Sequence, residues 1–143
     1  TTIADQARLW EAIVRGDGLS ATSRAEMVRP QLAITSAQQF PTLRTTSDPR
    51  GPAIGLAAGV GLITFDDIDG RAWYKGGHDD GTGNVVVCRE RDHRCVVLLA
   101  NSVRAERIYS AMVRFVLGES RAPWWWEYGS AAAPLSPVRP TSR

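Results

Sequence analysis

Lysine is almost missing from this 143-residue chain. Of its 17 basic residues only Lys75 is lysine, and the other 16 are arginine. Histidine and cysteine occur twice each. No apolar run approaches the roughly 18 residues of a membrane helix, which excludes a bilayer span in this segment. The formal charge of +2 is spread over scattered arginines without a basic stripe, which sets nucleic acid aside as a partner. The opening "TTIADQ" has neither an initiator Met nor the charged-then-apolar pattern of a signal peptide, and is read as the start of a processed or excised piece. With 43% hydrophobic and 22% charged residues, the composition is that of one soluble globular domain.

Periodicity places the elements. Thr2 and Asp5 have capping-box spacing, and Ile3, Ala7, Trp10 and Val14 recur along one face, which predicts a helix over 3–15 ended by Gly16. A short helix follows Ser20 through Val28 and stops at Pro30. Residues 29–52, rich in Pro, Thr and Ser, have no clear period and are read as an excursion or loop. "GVGLITFDD" and "RAWYKGG", joined by the Asp/Gly turn "DIDG", predict a hairpin with strands near 59–65 and 71–76. "NVVVCRERDHRCVVLLAN" predicts a second, with strands near 84–89 and 94–100. Asn101 or Ser102 then caps a helix over 102–118, with Val103, Met112, Phe115 and Val116 read as core-facing. The expected fold class is α+β, an antiparallel β-sheet packed with N-terminal and C-terminal helices. The triplet Trp124 to Trp126 is read as tying the terminal segment onto the fold rather than as a binding platform, and residues 131–143 as a disordered tail.

"YKGGHDDGTGN", residues 74–84, crowds four glycines around Lys75, His78, Asp79 and Asp80. A lone lysine among arginines points to a site that needs a compact ammonium, whereas the plainer reading is a tight turn with a solvated charge. A metal site is not expected: His78 and His93 lie in different loops, and "HDD" lacks the spacing that sets ligands on one helix face. No cofactor is expected. If the loop of the second hairpin is Glu90 to His93, Cys88 faces Cys95, and either a cross-strand disulfide or two buried thiols fits that register.

"KGGHDDGTGNVVVC…CVVLLANS" resembles the third-motif region of the serine β-lactamase and penicillin-binding-protein family, whose Lys-Thr-Gly box ends a strand and is followed by a Gly-rich break, a hairpin and the C-terminal helix. "TTIADQARLWEAIVRGDGLS…EMVRP" is similar to the stretch that lies between the second and third motifs of that family. Lys75, Gly76 and Gly77 stand in the box, with Gly76 replacing the usual Thr or Ser. There is no Ser-x-x-Lys, since the residue three before Lys75 is Ala72, and no Tyr-x-Asn. The resemblance therefore implies the C-terminal part, residues 1–130, of a serine acyl-transfer hydrolase acting on a small-molecule amide or ester, inactive without its N-terminal part.

In that reading the backbone N–H of His78 is one oxyanion donor, Gly76, Gly77 and Asp79 contact substrate, and the Lys75 ammonium orients a carboxylate and tunes the base. The exported habit of the family favours the Cys88–Cys95 bridge and a periplasmic or secreted location. Two alternatives stand beside it. One is a non-catalytic interaction domain that uses the sheet edge and the Trp cluster. The other takes Thr1 as an N-terminal nucleophile.

Overall fold

The computed structural model describes residues 1–40 and 46–129. The tail expected at 131–143 lies outside the described residues, as do 41–45 of the long excursion. The chain has an α+β fold built on a six-stranded antiparallel sheet whose strands neighbour one another in chain order. They are β1 (Leu32–Ala33), β2 (Ala57–Ala58), β3 (Ile63–Asp67), β4 (Gly70–Asp79), β5 (Thr82–Arg89) and β6 (Arg94–Ala100). The helices are α1 (Ile3–Arg15), α2 (Ala21–Val28), α3 (Arg50–Ala53), α4 (Glu106–Leu117) and α5 (Trp124–Glu127), with a 3-10 turn at Val103–Ala105 before α4.

Side chains alternate across the sheet and divide the core in two. Ala72 and Tyr74 of β4, with Val85 and Val87 of β5, join Tyr109, Val113, Leu117, Trp126 and Tyr128 beneath α4 and α5. Trp73, Val86 and Cys88 face the other way, toward Val14 and Trp10 of α1. The helix ends carry the signals read from the sequence. Thr2 and Asp5 form the reciprocal capping box, Gly16 closes α1 in a left-handed conformation (φ 79°), and Ser20 caps α2. Before α4, the Ser102 hydroxyl accepts from the Arg104 N–H. Arg89 and Arg94, opposite each other on β5 and β6, donate to the Leu117 and Val116 carbonyls at 2.6 and 2.7 Å, so the second hairpin supplies the C-terminal cap of α4.

Three expectations need correction. The Gly-rich stretch is not a break between strands: β4 runs unbroken to Asp79 and turns through Asp80 and Gly81 directly into β5, with His78 opposite Gly83 and Gly77 opposite Asn84. An Asp-Gly pair suits a two-residue hairpin turn, and glycines in a two-sided strand relieve crowding instead of interrupting it. The first hairpin strand begins at Ile63, not 59, because Gly59 to Leu62 make a turn through Gly61 (φ 79°).

The third correction concerns helix faces. Met112, Phe115 and Val116 are exposed, Phe115 at 89%, while Glu106, Tyr109, Val113 and Leu117 face the sheet. Helix α4 carries apolar residues on two stripes, and helical spacing does not tell which one a sheet will cover. Ile3 and Ala7 of α1 are likewise exposed, and contact with the sheet is concentrated at Trp10 and Val14. The Trp triplet packs. Trp126 is buried and donates its indole N–H to Ser36 Oγ at 3.0 Å, Trp124 stacks on Tyr128, and Trp125 lies beneath the Arg50 guanidinium.

Candidate functional site

The second half of β4 is where the predicted residues meet. Strand β3 pairs with β4 only as far as Ile63 opposite Tyr74. Among the described residues no strand pairs with β4 on that side beyond Tyr74. Backbone direction there follows from the antiparallel pattern. The Glu90 N–H donates to the Arg71 carbonyl (3.0 Å), so the odd-numbered residues of β4 aim their backbone groups at β5. Gly76 and His78, being even, aim theirs at the side that β3 has left. The two-residue Asp80–Gly81 turn requires the same phase, since it makes Asp79 and Thr82 a hydrogen-bonded pair.

Lys75 stands at this edge. Its side chain is exposed, and Nζ donates to the Gly76 carbonyl at 2.7 Å. Lys75, Gly76 and Gly77 line a cleft of about 170 Å³ together with Gln6 and Trp10 of α1 and Asn84 of β5. The two glycines differ in kind. A Cβ at Gly77 would meet nothing within 4 Å, whereas one at Gly76 would lie 2.1 Å from Oε1 of Glu127. The room at Gly76 on the α4 and α5 face is thus taken by the chain's own carboxylate, and open space is found at Gly77.

The even-numbered side chains meet a group of buried polar residues that the sequence reading missed. Glu127 is 9% exposed, accepts from the Tyr74 hydroxyl (3.3 Å), and faces the amide of Gln39, whose backbone N–H donates to the Trp126 carbonyl. Burial pushes its carboxyl above the ordinary range, outweighing Lys75, His78 and the Tyr74 hydroxyl, which pull it down. Glu106, 7% exposed, lies 3.5 Å from Nδ1 of His78, and burial raises its carboxyl against the opposing pull of His78. Its Oε1 has no hydrogen-bond partner: the imidazole is near without being aligned. The Tyr109 hydroxyl donates to the Gly83 carbonyl, and that of Tyr128 to the Asn84 carbonyl at 3.1 Å. Tyr74 and Tyr128 are both held far above the usual phenol range, by burial first and by Glu127 next.

Lys75, Gly76 and Gly77 therefore share one cleft, while His78 and Asp79 line a second, separate cavity. Asp79 also accepts from the Asp80 N–H at 2.8 Å and shapes the turn. Cys88 and Cys95 form a disulfide across β5 and β6, with Cα atoms 4.1 Å apart; Cys88 pairs with Trp73 of β4, two residues along the strand from Lys75. Thr1 lies at the exposed start of α1. Among the described residues no helix is long and apolar enough to cross a membrane. A signal for the missed acids was present: a glutamate inside the amphipathic run of α4 and one directly after three tryptophans both sit where solvent is scarce. No family model matches the chain, and no curated protein or solved structure is significantly similar to it.

Proposed function

We propose that this chain supplies the substrate-orienting strand and one oxyanion donor of a serine acyl-transfer hydrolase related to the β-lactamases and penicillin-binding proteins, acting on amides or esters when joined to an N-terminal part that carries the nucleophile. The observation that supports this reading is the backbone edge at Gly76 and His78, left by β3 and flanked by the Lys75 ammonium. Acyl transfer needs fixed N–H donors where negative charge develops, and a strand edge holds them without reorganisation. An extended acyl chain can lie along the same edge as an added strand, with Gly77 leaving space beside it. The Lys75 ammonium, solvated and close to that edge, is suited to an anionic group on substrate or to a neighbouring base.

The test compares the isolated chain with the full-length translation product of its reading frame. Each is treated with a fluorescent serine-reactive phosphonate and assayed with a chromogenic cephalosporin and a nitrophenyl ester. The isolated chain is expected to remain unlabelled and inactive, and the full-length protein to be labelled and to turn over at least one substrate. Phosphonate-sensitive turnover by the isolated chain would overturn the proposal, as would a full-length protein with no reactive serine. The latter outcome would favour the non-catalytic reading, in which the strand edge alone binds a partner.

A further inference from the structure

Helix α4 is apolar on more of its surface than the sheet covers. Tyr109, Val113 and Leu117 are buried on the sheet, whereas Ile108, Met112, Phe115 and Val116 are exposed on the outer side, and Arg107, Ser110 and Arg114 form a narrow polar stripe between the two. A helix apolar on two sides is one that is covered on two sides, and an exposed apolar patch with a polar border marks an interaction site. This outer side borders a groove of about 610 Å³, walled by Arg107, Ala111, Arg114 and Phe115 of α4 and by Glu119 and Trp124 of the segment that follows. The groove lies on the opposite face of the sheet from the Lys75 cleft, so the proposed acyl-transfer chemistry makes no use of it.

Spacing and charge define what fits. Ile108, Ala111 and Phe115 stand three and four residues apart, the spacing of a coiled-coil seam, which a second helix fills better than an extended chain does. Arg107 and Arg114 each directly precede a seam residue, at the flanking position whose charge pairs with a partner helix. From Arg104 to Trp124 the exposed residues include four arginines, Arg104, Arg107, Arg114 and Arg121, and a single acid, Glu119, which pairs with Arg114 at 2.5 Å. The face is therefore cationic around an apolar centre. A second copy would bring the same excess of arginines to the contact, and like charges oppose such a pairing. A flat bilayer would reach Phe115 without filling the groove beside it.

We infer that the outer face of α4 docks an acidic amphipathic helix of a partner protein, with the partner's apolar stripe against Ile108, Ala111 and Phe115 and its carboxylates against Arg107 and Arg114. Phe115 is the anchor, since an aromatic ring that loses water at the centre of a contact carries a large share of its energy. The planar guanidinium forks of the two arginines bond carboxylates in a fixed geometry and set the register of the incoming helix. Arg114, which already meets Glu119, has donors left for a second carboxylate.

The test titrates the nitrogen-15-labelled chain with a designed peptide of about 20 residues, long enough to be helical, carrying Leu along a coiled-coil seam and Glu at the flanking positions. Two comparison peptides are a scrambled sequence of the same composition and one with Lys in place of every Glu. The acidic peptide is expected to give saturable shifts at the amides of α4 and at the Trp124 indole, and the comparison peptides none at the same concentrations. Arg107→Glu and Phe115→Ala, both at exposed positions, should each weaken the acidic peptide about tenfold with the melting transition retained. Arg8→Glu, on the exposed side of α1, should leave it unchanged and so separates the docking face from general charge. Equal binding of the scrambled peptide, equal binding of the Lys peptide, or no binding of the acidic one overturns the inference. So does self-association of the chain, or its binding to anionic phospholipid vesicles, if Phe115→Ala removes it, since the face then belongs to a second copy or to a membrane. A full-length translation product that no longer binds the peptide would place the occupant within the same polypeptide and overturn the separate partner.

Discussion

The carboxylate of Glu127 lies where a side chain at residue 76 would begin: a Cβ built on Gly76 falls 2.1 Å from Oε1 and 2.5 Å from Cδ of Glu127. Glycine in the middle of β4 is therefore a requirement of α5 as much as of any substrate. Gly76→Ala is expected to displace Glu127 from Tyr74 and to destabilise the fold by about 1–3 kcal/mol, the usual cost of overpacking. Gly77→Ala, which meets open space, should change stability by less than about 0.5 kcal/mol. Urea denaturation of the two variants checks the pair, and equal losses would place α5 elsewhere.

The same carboxylate makes a pH signature. Burial raises Glu127 above its ordinary value of 4.5, so the folded state holds its proton more tightly than the unfolded state. Its contribution to stability is then fully present below the unfolded value and is lost as pH rises through the folded one. Stability measured from pH 4 upward should show this downward component, and Glu127→Gln should flatten it while Tyr74 keeps an acceptor. An unchanged pH profile in the variant would mean that Glu127 is ionised at little cost.

Reduction of the Cys88–Cys95 bridge should destabilise without unfolding. The two strands remain paired on both sides of the bridge by Arg89 with Arg94 and Val87 with Val96. Closure of so short a loop is worth about 2 kcal/mol in the chain-entropy account. Thermal melts with and without reductant should show a lower but still cooperative transition.

Helix α4 offers a contrast between its two stripes. Leu117→Ala, in the core, should cost about 2–4 kcal/mol, and Phe115→Ala, at 89% exposure, less than about 0.5 kcal/mol. A large loss from Phe115→Ala in dilute solution would show that this residue is covered.

In the full-length protein, Lys75→Ala should leave stability nearly intact, because an exposed charge bonded to one carbonyl contributes little. On the proposed hydrolase function, turnover should fall about 10²–10³-fold, as when one transition-state donor is removed. His78→Ala keeps the backbone N–H and should cost less in rate, while His78→Pro removes that N–H and should be severe. If His78→Ala abolishes turnover and Lys75→Ala is silent, the chemistry lies in the imidazole.

What the sequence determined is local. The capping box at Thr2 and Asp5, the stop at Gly16, the turns at Ile68–Asp69 and Asp80–Gly81, and the facing of Cys88 and Cys95 are all consequences of residues within a few positions of one another. Backbone dihedral preferences and strand alternation act at that range, so pattern alone suffices. The α+β class follows because two alternating apolar hairpins next to an amphipathic helix have few other ways to cover themselves. The length of β4 was not read: the strand was expected to end near residue 76, because the glycines that follow read as a break, whereas it runs to Asp79.

The tertiary structure decided what depends on which distant segment arrives where. Helix α4 has two apolar stripes, and only its docking on β5 and β6 selects Tyr109, Val113 and Leu117 over Met112 and Phe115. Glu127 and Gly76 are about fifty residues apart in the chain, and their juxtaposition exists because the segment after α4 returns across the sheet, anchored where Asp67 accepts from Ser120 and the Arg121 N–H. The desolvation that raises the carboxyls of Glu106 and Glu127, and the departure of β3 that leaves the Gly76 and His78 backbone at an edge, are properties of that assembly. Burial and solvent exclusion are set by whole surfaces coming together, and no single stretch of residues carries them.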